Sequence, residues 1–178
     1  EILSLKPFKQ VNTKGELEII PVGNALRICK HPDARLKVFL CVHADTVFGP
    51  DSDFQKTSLQ KNNILNGPGV ADAKGGLLVM ITALTALEKS PGAGNIGWEM
   101  VVNPDEEIGS PGSFDLLEKG AKNNDLGMVF EPSFPDGSLA SERGGSGNFT
   151  AVARGRAAHA GRDFQKGRNA IRALSDFL

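Results

Sequence analysis

Residue types that bind metals and move protons stand at four places in this sequence of 178 residues: His43 with Asp45, Asp72, the run Asp105-Glu106-Glu107, and Glu131. His43 and Asp45 are two apart, so on an extended chain their side chains point the same way. That spacing suits a metal-bound imidazole whose second ring nitrogen is steadied by a carboxylate; a buried His beside a turn Asp fits it as well. Glu106 and Glu107 are neighbours and cannot present themselves to one metal in the same manner. One can coordinate while the other faces bound water as a general base. A solvated acidic turn is the plainer alternative, although Ile108-Gly109-Ser110-Pro111-Gly112 makes a compact loop after an apolar strand.

Asp72 lies in the glycine-rich stretch Gly67-Pro68-Gly69-Val70-Ala71-Asp72-Ala73-Lys74-Gly75-Gly76. A phosphate-cradling loop of the Walker type needs Gly before the Lys and Ser or Thr after it, where this chain has Ala73 and Gly75. The dinucleotide fingerprint needs a third Gly where Asp72 stands, and that carboxylate repels a pyrophosphate. Apart from a simple turn, the reading left is that tight turns carry Asp72 into an acidic cluster, its two oxygens able to bridge two metals about 3.5–4 Å apart.

These groups need a scaffold that makes them meet. The apolar pattern predicts strands at Leu17–Ile20, Ala25–Cys29, Leu36–Val42, Trp98–Val102 and Leu126–Phe130, with the turn His31-Pro32-Asp33 joining the second and third. Leu77, Met80, Ile81, Leu84 and Leu87 share one face of a helix predicted over Gly75–Lys89, and a shorter helix is predicted around Phe114–Lys119. Strands alternating with helices imply an α/β fold, a mainly parallel sheet with helices on both faces. Three predicted strands run directly into His43-Ala44-Asp45, the Asp-Glu-Glu run and Glu131. In open α/β sheets ligands collect beyond the carboxyl ends of the strands, so these residues should converge. So many carboxylates in one place favour a divalent cation, which offsets their mutual repulsion.

From Gly147 onward the pattern changes. Phe149, Ala151 and Ala153 alternate with polar or small residues, and a basic loop leads to a terminal helix whose apolar spacing, through Ala170, Ile171, Ala173, Leu174 and Phe177, persists to Leu178 with no stop signal. The expected organisation is a first domain over 1–145 and the start of a smaller α+β domain over 146–178, the chain reading as a fragment that ends inside a helix.

Composition narrows the function classes. Twenty basic and 21 acidic residues give a net charge of −1, which argues against bulk binding to nucleic acid or an anionic membrane surface. The apolar run Leu77–Leu84, interrupted by Thr82, is too short to span a bilayer. Cys29 and Cys41 are too few for a disulfide scaffold or a cysteine zinc site and read as buried thiols. There is no His-Glu-x-x-His, and no final Gly completes a nucleophile elbow around Ser146. His31 reads as a surface turn residue. Arg154, Arg156, Arg162, Lys166 and Arg168 form either a solvated basic face or an anion-binding one. His159, among small residues, is accessible, but spacing alone assigns it no role. With no signal peptide visible the expected location is cytoplasmic; the absence of an initial Met leaves a periplasmic or secreted one open.

Together, His43-Ala44-Asp45-Thr46-Val47, Gly67-Pro68-Gly69-Val70-Ala71-Asp72 with Lys74-Gly75-Gly76, Asp105-Glu106-Glu107 with Gly109-Ser110, and Phe130-Glu131-Pro132 resemble the M20 family of dinuclear zinc peptidases in order and spacing. The likeness is nearest to the glutamate carboxypeptidase subgroup, whose relatives include aminoacylases, acetylornithine deacetylases and succinyl-diaminopimelate desuccinylases. It implies hydrolysis of an amide or peptide bond next to a carboxylate, on a small peptide or N-acyl amino acid, with two Zn2+ per complete site and Mn2+ or Co2+ as alternatives. By the same resemblance His43 and Glu131 bind one zinc, Asp72 bridges, Glu107 binds the other, Glu106 is the general base and Asp45 orients His43. His159 would reach the substrate carbonyl across a homodimer formed through the smaller lid domain. The family's second zinc His and its carboxylate-binding Arg would lie beyond Leu178, so this chain is expected to hold one fairly complete metal position and to be inactive alone. A non-catalytic metal- or ligand-binding module, and a dinuclear hydrolase of non-amide substrates with Lys74 and Arg143 as its cations, are the competing readings.

Overall fold

A computed structural model of the chain describes residues 1–145 and 147–177. Ser146, at the expected domain boundary, and Leu178, at the end of the terminal helix, lie outside the described residues. In chain order the elements are β1 (Ile2–Leu3), β2 (Phe8–Val11), β3 (Leu17–Ile20), β4 (Ala25–Lys30), β5 (Leu36–His43), β6 (Ser58–Leu59), β7 (Leu65–Asn66), α1 (Gly75–Glu88), β8 (Ile96–Asn103), α2 (Phe114–Asn123), β9 (Leu126–Val129) and α3 (Ala170–Phe177). They fall into two compact units, one of Glu1–Phe8 with Ile19–Ala140 and one of Lys9–Glu18 with Ser141–Leu178.

The first unit is an α/β layer structure. Its five-stranded sheet has the order β1-β4-β8-β5-β9 and is mixed. The parallel part comprises β8, β5 and β9, while β4 and β1 run antiparallel at one edge. The turn expected at His31 to Asp33 is present, with Ala34 N–H donating to His31 O at 3.0 Å. The strands it joins are nevertheless not partners, because β8 lies between them, antiparallel to β4 and parallel to β5.

Central β5 reads Leu-Lys-Val-Phe-Leu-Cys-Val-His, nearly continuous in apolar residues, as a strand covered on both faces must be. On one face Leu40, Val42, Trp98, Met100 and Val102 pack with Met80 and Leu84 of α1. Met80 is fully buried, which is worth roughly 2–3 kcal/mol relative to exposure. On the other face Phe39 meets Gly120 of α2 so closely that a Cβ at Gly120 would overlap the ring. α1 is anchored at its C-terminal end as well: the Glu88 carboxylate accepts hydrogen bonds from Trp98 Nε1 (2.8 Å), Lys30 Nζ (3.1 Å) and His31 Nε2 (3.1 Å).

By length and composition alone the stretch Val70–Glu88, 19 residues with a mean hydropathy of 1.5 over its most apolar window, is long and apolar enough to cross a membrane. Thr82 and Thr85 donate their hydroxyls to Leu78 O and Ile81 O, so both are satisfied on the helix. In this unit the stretch begins at the turn carrying Asp72 and buries Met80 and Leu84 against the sheet.

In the second unit, Asn12 Oδ1 accepts the Lys14 and Glu16 N–H groups at 2.9 Å and shapes the turn that ends at Gly15, whose φ of 74° suits glycine. Arg154 Nη2 donates to Gly15 O at 2.6 Å. Arg156 and Arg168 form an isolated antiparallel bridge ahead of α3. The alternation at Phe149, Ala151 and Ala153 makes no ladder among the described residues, and Phe149 is 96% exposed. Alternation marks a face, and without a partner surface it forms no strand.

Candidate metal centre

The parallel pairings bring the chemistry together. His43 closes β5 opposite Asn103, the last residue of β8, and Cys41 pairs with Val129, the last of β9. Continuing that register sets Glu131 level with His43, and Phe130 N–H still donates to Cys41 O at 2.9 Å. Strand ends that share a level deliver the His, the acidic turn and Glu131 to one edge.

Asp72 comes from a different device. The turn Val70–Lys74 leads into α1, closed by Lys74 N–H donating to Gly69 O at 2.8 Å. Gly69 has φ 68°, and a Cβ there would strike Lys74 Nζ and Thr46 Cγ2, so both conformation and space require glycine. Gly76, in the first turn of α1, lets the helix approach the Phe130 carbonyl; a Cβ would sit 2.9 Å from that oxygen. Thus α1 starts beside the residue that precedes Glu131.

The resulting geometry centres on His43, which is 1% exposed. Its Nε2 donates to Asp72 Oδ1 at 2.9 Å and lies 3.7 Å from Glu131 Oε2. Its Nδ1 donates to the Asp45 carbonyl at 3.1 Å, with Asp45 Oδ1 at 3.3 Å. Ligand atoms of His43, Glu106 and Glu131 lie within 4.8 Å of one another, as do those of His43, Asp72 and Glu107. His43, Asp45, Asp72, Glu106, Glu107 and Glu131 are therefore brought together. His159 belongs to the second unit, where it is exposed and its Nδ1 accepts the Gly161 N–H at 3.1 Å.

Asp105 departs from its neighbours. It is 1% exposed and its carboxylate turns away from the cluster, Oδ2 accepting from Gly112 N–H (2.7 Å) and Ser113 N–H (3.0 Å), and Oδ1 from the Ser113 hydroxyl (2.6 Å). Asn103 Nδ2 donates to Ser113 Oγ at 3.4 Å from the same buried pocket. Sequence reasoning placed Asp105 with the two glutamates and gave Ser113 and Asn103 no part. The available signal was Ser113 one residue before an apolar-periodic segment, a helix-start position.

Electrostatics show what the cluster is suited to hold. Burial raises the Glu106 carboxyl above the ordinary range; the His43 ring opposes this, and Glu107, Asp45 and Asp72 reinforce it. Burial raises Glu131 likewise, with His43 opposing and Glu106 and Asp72 adding to the rise. Burial alone would lower His43, but the hydrogen bond to Asp72 and the carboxylates of Glu131, Asp45 and Glu106 outweigh it and raise the imidazole. Both ring nitrogens thus face acceptors, and the site retains protons to balance its charge. Oxygen donors with one imidazole nitrogen suit a borderline-hard divalent ion such as zinc, manganese or cobalt, so this donor set fits the expected metals.

The fold and these contacts define an α/β domain whose parallel strand ends, with the turn before α1, gather carboxylates around one buried imidazole in an arrangement that could hold a metal ion. The sequence pattern of peptidase family M20/M25/M40 matches residues 39–165, and the chain belongs to that family. It is 35% identical to carboxypeptidase G2 from Pseudomonas sp. (strain RS-16) over 143 residues, which are 79% of this chain and 34% of that protein. The fold is similar to the dipeptidase Dug1p from Saccharomyces cerevisiae, with TM-score 0.57, 19% identity and coverage of 75% of this chain and 29% of that one. It is also similar to an M20 family metallo-carboxypeptidase from Sulfolobus solfataricus, with TM-score 0.52, 21% identity and coverage of 76% and 30%. The chain spans about a third of the length of the relatives it matches.

Proposed function

We propose that this chain forms the core of a metal-dependent hydrolase that cleaves an amide or peptide bond next to a carboxylate, of the carboxypeptidase, aminoacylase or deacylase type. The observation that carries this reading is His43 Nε2 facing Asp72 at 2.9 Å and Glu131 at 3.7 Å, with Glu106 and Glu107 within reach. The family and the 35% identity to a carboxypeptidase support it.

Zinc ions bound there would supply Lewis acidity toward a carbonyl oxygen and lower the pKa of bound water. His43, Asp72 and Glu131 would hold one ion, with Asp72 shared toward a second ion held by Glu107. Glu106 takes the proton of the attacking water and returns it to the departing amine, the work of a carboxylate whose surroundings raise its pKa. Asp45 positions the groups around it. A small peptide or N-acyl amino acid is the substrate class, and His159 is assigned to the substrate carbonyl in a homodimer.

Replacing Glu106 in the metal-loaded whole protein tests this. Glu106→Ala should keep its zinc and lose about 10²–10⁴-fold in kcat on dipeptides and N-acyl amino acids. Undiminished turnover would refute the role.

A further inference from the structure

The acidic turn Glu106–Ile108 is only three residues long, and its own backbone closes it with Gly109 N–H to Glu106 O at 2.7 Å. Such a turn cannot hold two adjacent glutamates in defined directions without outside support, because each side chain has several rotors. The Asp45 carboxylate, which accepts the N–H groups of Glu106 and Glu107, is one support, and the residue immediately before the turn is another. Asp105 is buried, and each of its carboxylate oxygens is engaged by donors at 2.6–3.0 Å, all of them on Gly112 and Ser113, where α2 begins. Its own carbonyl accepts Ser110 N–H at 2.7 Å, which folds the intervening loop back on the same residue. Ser113 is fully buried and Asn103, the end of β8, donates to its hydroxyl. Strand end, acidic turn and helix start are therefore one hydrogen-bonded block, with no unpartnered buried side-chain polar atom among the described residues.

We propose that Asp105 is a second positioning residue of this site, beside Asp45: its buried carboxylate ties the acidic turn to the start of α2 and so helps to set the directions in which Glu106 and Glu107 reach the metals and the water. It touches neither. The role rests on the functional reading above, but one of its consequences does not depend on turnover, because Glu107 is also a metal ligand in that reading.

Removing the carboxylate leaves the N–H groups of Gly112 and Ser113 and the Ser113 hydroxyl without acceptors in a buried place, and the block loosens. Asparagine is nearly isosteric. Its Oδ1 can accept the two N–H groups while its Nδ2 donates to Ser113 Oγ, so Asp105→Asn should restore most of what Asp105→Ala loses. A residue of purely structural importance would lower the melting temperature while the folded fraction kept its kcat and metal stoichiometry.

The test uses the whole protein with zinc, assayed well below each variant's melting temperature. Zinc affinity is measured against a chromophoric chelator, and kcat and KM on an N-acyl amino acid. Asp105→Ala should weaken one of the two zincs, the one assigned to Glu107, by about 10–100-fold and lower kcat by a similar factor, with KM within about threefold and the other zinc retained. Asp105→Asn should recover at least half of each loss on a logarithmic scale. If Asp105→Ala does not fold, Ser113→Ala, which deletes only the 2.6 Å hydroxyl contact, should show the same pattern at several-fold size. Wild-type values for the second zinc and for kcat in folded Asp105→Ala, or in Ser113→Ala where the former is not folded, overturn the proposal. If the wild-type protein binds two zincs but hydrolyses none of these amides, the functional reading fails, and the zinc measurements still decide the role of Asp105.

Discussion

The Asp45 carboxylate accepts the backbone N–H of Glu107 at 2.9 Å and that of Glu106 at 3.2 Å, while the acceptor nearest to His43 Nδ1 is the Asp45 main-chain carbonyl. One residue therefore serves two parts of the centre with different atoms: the carbonyl faces the imidazole, and the carboxylate chiefly caps the turn that bears both glutamates. A carboxylate receiving the N–H groups of a short helical turn is a favourable arrangement on its own account.

These two tasks separate on mutation. Asp45→Ala leaves the carbonyl in place, so His43 keeps a partner while the turn loses its acceptor. The expected result is a 10–100-fold loss of metal affinity, the usual size for a group behind a ligand, with a smaller loss in Asp45→Asn, which keeps one oxygen. Isothermal titration with zinc checks this. Equal affinities in wild type and Asp45→Ala would show that the turn needs no support from Asp45.

Protonation gives a second expectation. Glu106 and Glu131 have folded pKa values above the ordinary 4.5, so the folded state holds more protons than the unfolded one and loses stability as pH rises past that value. His43 is raised above 6.5, and the stability it contributes is present below 6.5 and lost as pH climbs through its folded value. Both signs agree. The lowered carboxylates, Glu88 and Asp136, act only below their ordinary values of 4.5 and 3.8. In chelator the melting temperature should fall between about pH 5 and pH 8, and zinc should cancel the fall, since a metal replaces the protons. A melting temperature in chelator that rises over this range would contradict the charge balance described for the cluster.

Packing behind the centre gives a third. Gly120 sits under the buried Phe39 ring, and an added Cβ cannot fit without displacing it. Alanine improves helix propensity by about 1 kcal/mol, but overpacking a tight core costs about 1–3 kcal/mol. Gly120→Ala should therefore destabilise the domain by about 1 kcal/mol, read from the midpoint of urea unfolding. A more stable variant would mean that α2 slides away from β5 with ease.

How far the sequence reaches is instructive at particular residues. Helical spacing located α1, and continuous apolar runs located β5 and β8, since strands covered on both faces leave few polar positions. It could not tell that β8 separates β4 from β5, because a His31-Pro32-Asp33 turn is compatible with a hairpin and with a chain leaving for another place in the sheet. Nor could it orient Asp105. Three consecutive acids carry no mark of which one turns inward, and the decision depends on Gly112 and Ser113, seven and eight residues on, presenting N–H groups at the right place. The two-residue strands β1, β6 and β7 are too short for any period. The gathering of His43, Asp72 and Glu131 was legible because each follows an apolar strand or a glycine turn, and parallel strands end on one side.

The most direct test of the account is a zinc titration of the 178-residue chain against a competing chelator, in wild type and in His43→Ala. The expected result is tight zinc binding by the wild-type chain, weakened at least tenfold without the imidazole. No tight zinc, or an affinity that His43→Ala leaves unchanged, would contradict a centre built around His43, Asp72 and Glu131.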